Sequence, residues 1–404
     1  MTHTHALNFD RLVAHRAASV NASGIRRVFE LGRSLKDPIN LSIGQPDFPV
    51  PDAIKNAAID AIREDRNGYT LTQGIPELQT RIKDHLAHDL GWDFSDSAAN
   101  PMDAIVTSGT SGALFLLAMA TLQAGDEIIV PDPYFVIYPH LAGLFGAKPV
   151  ICSTYPDFRL TAERVEPLIT ERTKFVLLNS PSNPCGVVAD KKTCTDLLEL
   201  CRSRGVLLVS DEIYDEFTFS DGLTDPTPDG TDMRCPSPSR NSGGNTNGQD
   251  TLVIRGFGKT YGCTGWRLGY AAGPKPLMMQ MAKMQQYSFV CAPSMGQWGA
   301  LKAFDVDMHD TVSAYQKKRD MVLDALGDVT EISKPGGAFY AFIKVPERLG
   351  MTASQLFEKA IEKNLLMIPG NVFSTCDTHF RISFATSNEN LARGLDVLRD
   401  LMKG

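Results

Sequence analysis

Short runs of mostly apolar residues, alternating with longer stretches of helical spacing, constrain this 404-residue chain more than any other feature. The runs are DAIVTS (103–108), DEIIVP (126–131), KPVICS (148–153), KFVLLN (174–179), VLLVSD (206–211), TLVIRG (251–256) and RLGYAAG (267–273). Runs so apolar leave no polar face for solvent, so they predict a sheet covered on both sides. Between them lie helix-like stretches such as SGALFLLAMATLQA and CTDLLELCRSRG, so the sheet is expected to be largely parallel. Ligands of such sheets bind at the carboxyl ends of the strands. That rule selects residues 107–111, 132–135, 179–183, 211–214 and 256–259.

Past residue 300 the pattern changes to long helices, MHDTVSAYQKKRDMVLDAL and SQLFEKAIEKN, with strands GGAFYAFI and HFRISFA. This predicts a smaller α+β domain, formed by 1–51 and 301–404, beside a large α/β domain over 52–300. Residues 221–250 are rich in Pro, Gly, Ser, Asn and Asp and are expected to form a long surface loop without regular elements.

Composition excludes several classes of function. A net charge of −7 with interspersed signs argues against nucleic-acid binding and against a polybasic membrane contact. The longest apolar stretch, ALFLLAMATL at 113–122, is too short to span a bilayer, and the N-terminus has no signal-peptide pattern. None of the eight cysteines forms a CxxC pair and no zinc-finger spacing occurs, so free thiols, a cytoplasmic location and no metal site are expected.

The strand TLVIR runs into GFGKTYGCTGWRLGY (256–270), where Lys259 sits among glycines and aromatics. A phosphate loop would need Gly at 253, where Val253 stands, and a dinucleotide fingerprint is one residue too long here. The remaining functional reading is a lysine that forms a Schiff base, its neutral form favoured by burial or by a nearby cation such as Arg267. Pyridoxal phosphate needs such a lysine, a carboxylate for its ring nitrogen and donors for its phosphate. Asp211 ends an apolar strand, and Tyr214 follows three residues later. The turn TSGTSGALF, with Thr110 and Ser111, opens a helix whose free amides suit a phosphate. Asn183 lies in the turn NSPSNPCG, and Phe135 could stack on a ring. Taken singly, a capping Asp211, a plain N-cap by Thr110 or Ser111, a turn-forming Asn183 and a core Phe135 explain these residues as well or better. Five strand ends supplying complementary parts of one site shift the balance.

With LSIGQPDFPVP, YTLTQGIPEL, PDPYFVIYP, SDEIYDEF and RISFATSNENL added, the sequence resembles a class I/II aminotransferase of pyridoxal-phosphate fold type I, similar to bacterial aspartate and aromatic aminotransferases, from about 41 to 398. The resemblance implies a mostly parallel seven-stranded sheet between helices. It implies Lys259 as the internal aldimine lysine, Asp211 on the pyridine nitrogen, and Asn183 and Tyr214 on the ring hydroxyl. Phe135 would stack on the ring and contact substrate. Gly109, Thr110, Ser111 and Arg267 would hold the phosphate, with Tyr69 from the other subunit of a homodimer. Arg381, Asn183 and the Gly44 backbone would take the substrate carboxylate. Arg381 alone, on the strand face opposite Phe380, Ile382 and Phe384, would read as a solvated arginine. The implied activity is ping-pong transfer of an α-amino group from an L-amino acid to a 2-oxo acid, 2-oxoglutarate being expected. A lyase or decarboxylase on the same aldimine, or a non-catalytic cofactor-binding protein, are the alternatives. The chain departs from the family pattern at Gly258, where a serine is common, and at Ser111, where some aspartate-specific members carry a lysine. It also departs in PGNVFS (369–374), which lacks a second glycine, and in a longer 221–250 segment.

Overall fold

A computed structural model describes residues 7–18, 20, 24–240 and 248–403. The predicted apolar runs form one seven-stranded sheet. Its strands are β1 (Met102–Ser108), β2 (Glu127–Asp132), β3 (Lys148–Ser153), β4 (Thr173–Asn179), β5 (Leu207–Asp211), β6 (Thr251–Gly256) and β7 (Leu268–Pro274). Their order across the sheet is β1-β7-β6-β5-β4-β2-β3. Only β7 runs antiparallel to its neighbours. The carboxyl ends of β1, β2, β4, β5 and β6 therefore share one edge.

Both faces are covered, as the continuous apolar runs require. Ile128, Val130, Leu177 and Val209 pack with Leu114 and Leu117 of the helix Gly109–Thr121 on one side. Ile129, Val176, Leu178 and Leu208 pack with Leu197 and Cys201 of the helix Lys191–Arg204 on the other. The second of these helices starts at Asp190, whose side chain accepts from Thr193 N at 2.8 Å, and stops at Gly205 in the left-handed region.

A second, three-stranded sheet is built from β8 (Tyr340–Lys344), β9 (Ile368–Pro369) and β10 (His379–Ser383), with β10 central and antiparallel to both neighbours. The N-terminal segment joins this region, where Ile39–Asn40 pairs in parallel with Leu365–Leu366. The predicted strand GGAFYAFI begins only at Tyr340. The backbone before it is engaged elsewhere: Gly336 N donates to Gly186 O at 2.8 Å and Ala338 N to Phe217 O at 2.9 Å, which ties the two sheets' layers together.

The 221–250 segment is only in part the surface loop that its composition suggests: residues 228–233 are exposed, but 235–240 are buried. Asp225–Pro226 pairs with Met233–Arg234, and the following residues through Arg240 turn inward. Arg240 is 8% exposed, lies 2.7 Å from both Asp89 and Asp225, and donates to Cys235 O at 2.9 Å. Trp92 Nε1 donates to Ser239 O at 3.1 Å. Ion pairs satisfy the buried charges and hydrogen bonds the buried backbone, which lets so polar a stretch leave solvent. Residues 241–247 of the segment lie outside the described residues.

Candidate functional site

The shared strand edge opens into a cavity of about 280 Å³. Gly44, Gly109, Thr110, Ser111, Phe135, Asn183, Asp211, Tyr214, Lys259, Arg267 and Arg381 all line it. Tyr69 does not, and its side chain is 90% exposed.

Asp211 is the last residue of β5 and is buried. Its Oδ2 accepts from the Tyr138 hydroxyl at 2.9 Å and its Oδ1 from Ile213 N at 3.3 Å. Burial pushes its carboxyl up to about 6, with the Tyr138 hydrogen bond pulling the other way. The acid thus stands at a cavity wall with two neutral donors and no cation among its bonded partners in the described residues.

Lys259 lies in a single helical turn, Phe257–Thr260, directly after β6. Its Nζ donates to Gly44 O and lies 5.7 Å from the centre of the Phe339 ring. At Gly258 a Cβ would come within 3.2 Å of Thr264 Cα, so the glycine permits the close turn that presents the lysine.

Gly109 opens the helix Gly109–Thr121 with φ of 70°, a left-handed conformation. A Cβ there would sit 2.5 Å from Nη2 of Arg267, so glycine leaves the space between the helix start and the guanidinium. Arg267 is itself left-handed, with φ of 54°, and its Nη1 donates to Thr264 O at 3.2 Å. Gly109, Thr110 and Ser111 at the helix start thus share the cavity wall with Arg267, a donor set suited to an anion.

Arg381 is among the most buried side chains, at 1% exposure, which rules out the solvated-face reading. Its Nη1 donates to Asn183 Oδ1 at 3.1 Å and its Nη2 to Ser42 O at 2.8 Å. The guanidinium stacks over Tyr340 and Phe373 at 4.5 and 4.7 Å, and its Nε has no hydrogen-bond partner among the described residues. Burial lowers its pKa, with Tyr340 and Tyr214 opposing. A buried, incompletely satisfied guanidinium calls for an anion of matching planar geometry.

Two tyrosines that sequence reasoning missed complete the wall. Tyr138 was signalled by its place three residues after Phe135, and the two rings meet edge to face at 5.7 Å. Tyr340 exchanges a hydroxyl contact of 3.0 Å with Tyr214. A Cβ on Gly44 would lie 2.6 Å from the Tyr340 hydroxyl, so that glycine admits the close packing of Tyr340.

Behind the cavity a buried ion network braces the strand ends. Arg255 on β6 reaches Asp89 at 2.7 Å, Glu212 at 2.8 Å and Asp215 at 2.9 Å. Glu212 and Asp215 are the chain neighbours of Asp211 and Tyr214. Glu212 also accepts from Ser210 at 2.7 Å and from Ser237 of the inward-turned segment at 2.6 Å.

Comparison with known proteins agrees with this architecture. The sequence signature of the family "Aminotransferase class I and II" matches residues 36–398. A probable aspartate aminotransferase of Methanocaldococcus jannaschii is 34% identical over 97% of this chain and 100% of its own. The aspartate aminotransferase of Geobacillus stearothermophilus is 32% identical over 97% and 99%. Among solved structures, a single mutant of Thermus thermophilus aspartate aminotransferase superposes with a TM-score of 0.85 at 31% identity, over 96% of this chain and 99% of that one. The Rhizobium meliloti aspartate aminotransferase gives 0.87 at 30% identity, over 97% and 98%. The chain belongs to the class I and II aminotransferases, and it is an aminotransferase. No helix among the described residues is long and apolar enough to cross a membrane.

Proposed function

We propose that this chain uses pyridoxal 5′-phosphate to move the α-amino group of an L-amino acid to a 2-oxo acid, in two half-reactions at the cavity of Lys259. The observation that carries this reading is Asp211, a buried carboxyl raised to about 6 whose bonded partners are neutral. A cationic ring nitrogen is the partner that such a group lacks. The other residues fit the same cofactor: the Gly109 space beside Arg267 for a phosphate, Phe135 for a ring face, and Asn183 and Tyr214 for a ring hydroxyl. When bound, the cofactor supplies an aldehyde carbon for the Lys259 amine at rest, and then for the substrate amine, and a cationic ring that takes up electrons from the substrate Cα.

Each side chain then has a defined task. Arg381, with its free Nε and its fork held by Asn183 and Ser42 O, binds the α-carboxylate and orients the Cα–H bond. Lys259, the amine on the cavity wall, is the base that would move the proton from the substrate Cα. Asp211 would hold the cofactor's ring nitrogen in its protonated, cationic form, the form able to take up electrons. Because a 2-oxo acid carries the same carboxylate, Arg381 serves both halves.

The partner subunit's Tyr69 joins the phosphate cradle in this reading. Support comes from the 90% exposure of Tyr69, in company with exposed Leu71, Tyr287 and Phe289, a surface suited to burial against a second copy. The test is an absorbance spectrum of the cofactor-loaded protein, recorded with and without amino acid, followed by borohydride reduction and peptide mapping. A visible band that shifts with amino acid, is restored by a 2-oxo acid, and maps to Lys259 is the expected result. A lyase or decarboxylase would turn over without acceptor, and a label on another lysine overturns the assignment.

A further inference from the structure

The cavity's charges identify which side chains the substrate carries, on the reading of Lys259 and Arg381 just given. Among the described residues three cations line it: Lys259, Arg267 and Arg381. In that reading Lys259 does the chemistry, Arg267 belongs to the phosphate cradle, and Arg381 takes the one carboxylate that every amino acid has. Glycines apart, the lining left over is Ile25, Ile213, Leu268 and Tyr340, with Thr264 and with Tyr138 and Asn179, which are both bonded to Asp211; none of these carries a charge. Ile25 lies on the helix Gly24–Ser34 and is partly buried against the core of the three-stranded-sheet layer.

The edge that would arrive with the partner's Tyr69 has the same character. In this chain the backbone beside Tyr69 is held to the segment after residue 285, with Gln285 Nε2 donating to Thr72 O and Gln297 Nε2 to Thr70 Oγ1 at 3.1 Å. The exposed groups on these two stretches include Leu71, Tyr287, Phe289 and Val290. A cation near them, Arg66, is engaged with Glu64 at 2.7 Å and stacked over Trp298 at 4.2 Å. A second carboxylate on the substrate would thus lose its hydration against aliphatic and aromatic groups, which strongly disfavours binding, whereas an apolar side chain gains by the same burial.

We infer that the amino donors are amino acids with uncharged, apolar side chains, and that donors or acceptors with a distal carboxylate, 2-oxoglutarate included, are discriminated against. The experiment uses the cofactor-loaded protein and follows the donor half-reaction alone by absorbance, comparing L-leucine, L-asparagine and L-aspartate. Aspartate and asparagine differ only in charge at constant shape, and leucine adds apolarity. At least a tenfold higher kcat/KM for asparagine than for aspartate, and for leucine than for asparagine, is expected. Equal or reversed ranking at either step overturns the inference. Ile25→Arg puts a cation in the lining and should narrow the leucine-to-aspartate ratio at least tenfold; an unchanged ratio removes Ile25 from the side-chain pocket. If no donor reacts although borohydride labels Lys259, the aminotransfer reading fails, and this inference fails with it.

Discussion

Replacing Asp211 by Asn tests the physical basis of the site without relying on turnover. An ordinary aspartate ionises near 3.8, and burial lifts Asp211 to about 6 in the folded chain. The gap corresponds to about 3 kcal/mol. The sign follows from proton binding. Between 3.8 and 6 the folded state holds the proton that the unfolded chain has released, so stability falls as pH rises through this window and levels off above it. Linkage makes this penalty grow with pH across the window, to on the order of 3 kcal/mol once both states are ionised. Asparagine carries no such penalty, and it retains an acceptor for Ile213 N while the Tyr138 hydroxyl can turn to accept from the amide. The cofactor-stripped Asp211→Asn protein should therefore gain on the wild type by on the order of 1 kcal/mol between pH 5 and pH 8, on top of a pH-independent offset from the amide. Urea unfolding of both stripped proteins at pH 5, 6, 7 and 8 measures this difference. With cofactor bound, the order should invert: the wild type gains more from pyridoxal phosphate than the variant does, while the variant loses most of its turnover. Parallel stability curves for the stripped proteins would refute the argument that Asp211 is an uncompensated buried acid.

Other perturbations probe the remaining parts. Arg381→Lys should keep the lysine-bound absorbance band and lose on the order of 2–5 kcal/mol in kcat/KM for donor and acceptor alike; amines without a carboxylate reacting as fast as amino acids in the wild type would contradict the clamp. On the proposed homodimer, the Lys259→Ala and Tyr69→Ala proteins should each lose most of their activity. Mixed after subunit exchange, they should recover activity, because one site of the hybrid pairs an intact Lys259 with an intact Tyr69; no recovery would place Tyr69 outside the partner's site. Arg240→Met should lower stability on the order of 3 kcal/mol, because Asp89 and Asp225 each lose a buried partner at 2.7 Å. Calorimetric or urea unfolding indistinguishable from wild type would show that the segment 225–240 adds no support.

What the sequence made legible depended on how local the signal was. The strands of the large sheet were readable because each is a short apolar run with its own beginning and end. The five strand ends then located the cavity, because a parallel sheet brings carboxyl ends to one edge whatever the strand order. Tyr340 was hidden because GGAFYAFI is apolar throughout, so nothing distinguished a cavity tyrosine from a core one. The role of Ser42 is beyond sequence reading of side chains, since it is the backbone oxygen that holds Arg381. The burial of Arg381 was equally silent: alternation placed it opposite the phenylalanines, but only the packing of Tyr340 and Phe373 determines that the opposite face is also dry.

The segment 221–250 shows why composition misleads when partners are remote. Pro, Gly, Ser and Asp lower the propensity for regular structure, and in that respect the reading holds: one two-residue pair of strands is the only sheet pairing among its described residues. The inference from irregular to exposed holds at 228–233 and fails at 235–240. An irregular chain leaves solvent when distant groups satisfy its charges and backbone. Arg240 meets Asp89, 151 residues earlier in the chain; Ser237 meets Glu212; Asp225 meets Lys191 at 2.9 Å as well as Arg240. Glu212 and Asp89 in turn bind Arg255, whose strand runs on into Lys259. A stretch that reads as filler thus belongs to the brace behind the acid and the amine. Weakening that brace at Arg240 should loosen both at once, so Arg240→Met is expected to weaken pyridoxal phosphate binding, measured by absorbance titration of the stripped protein, as well as lower stability, whereas a merely local support would change stability alone.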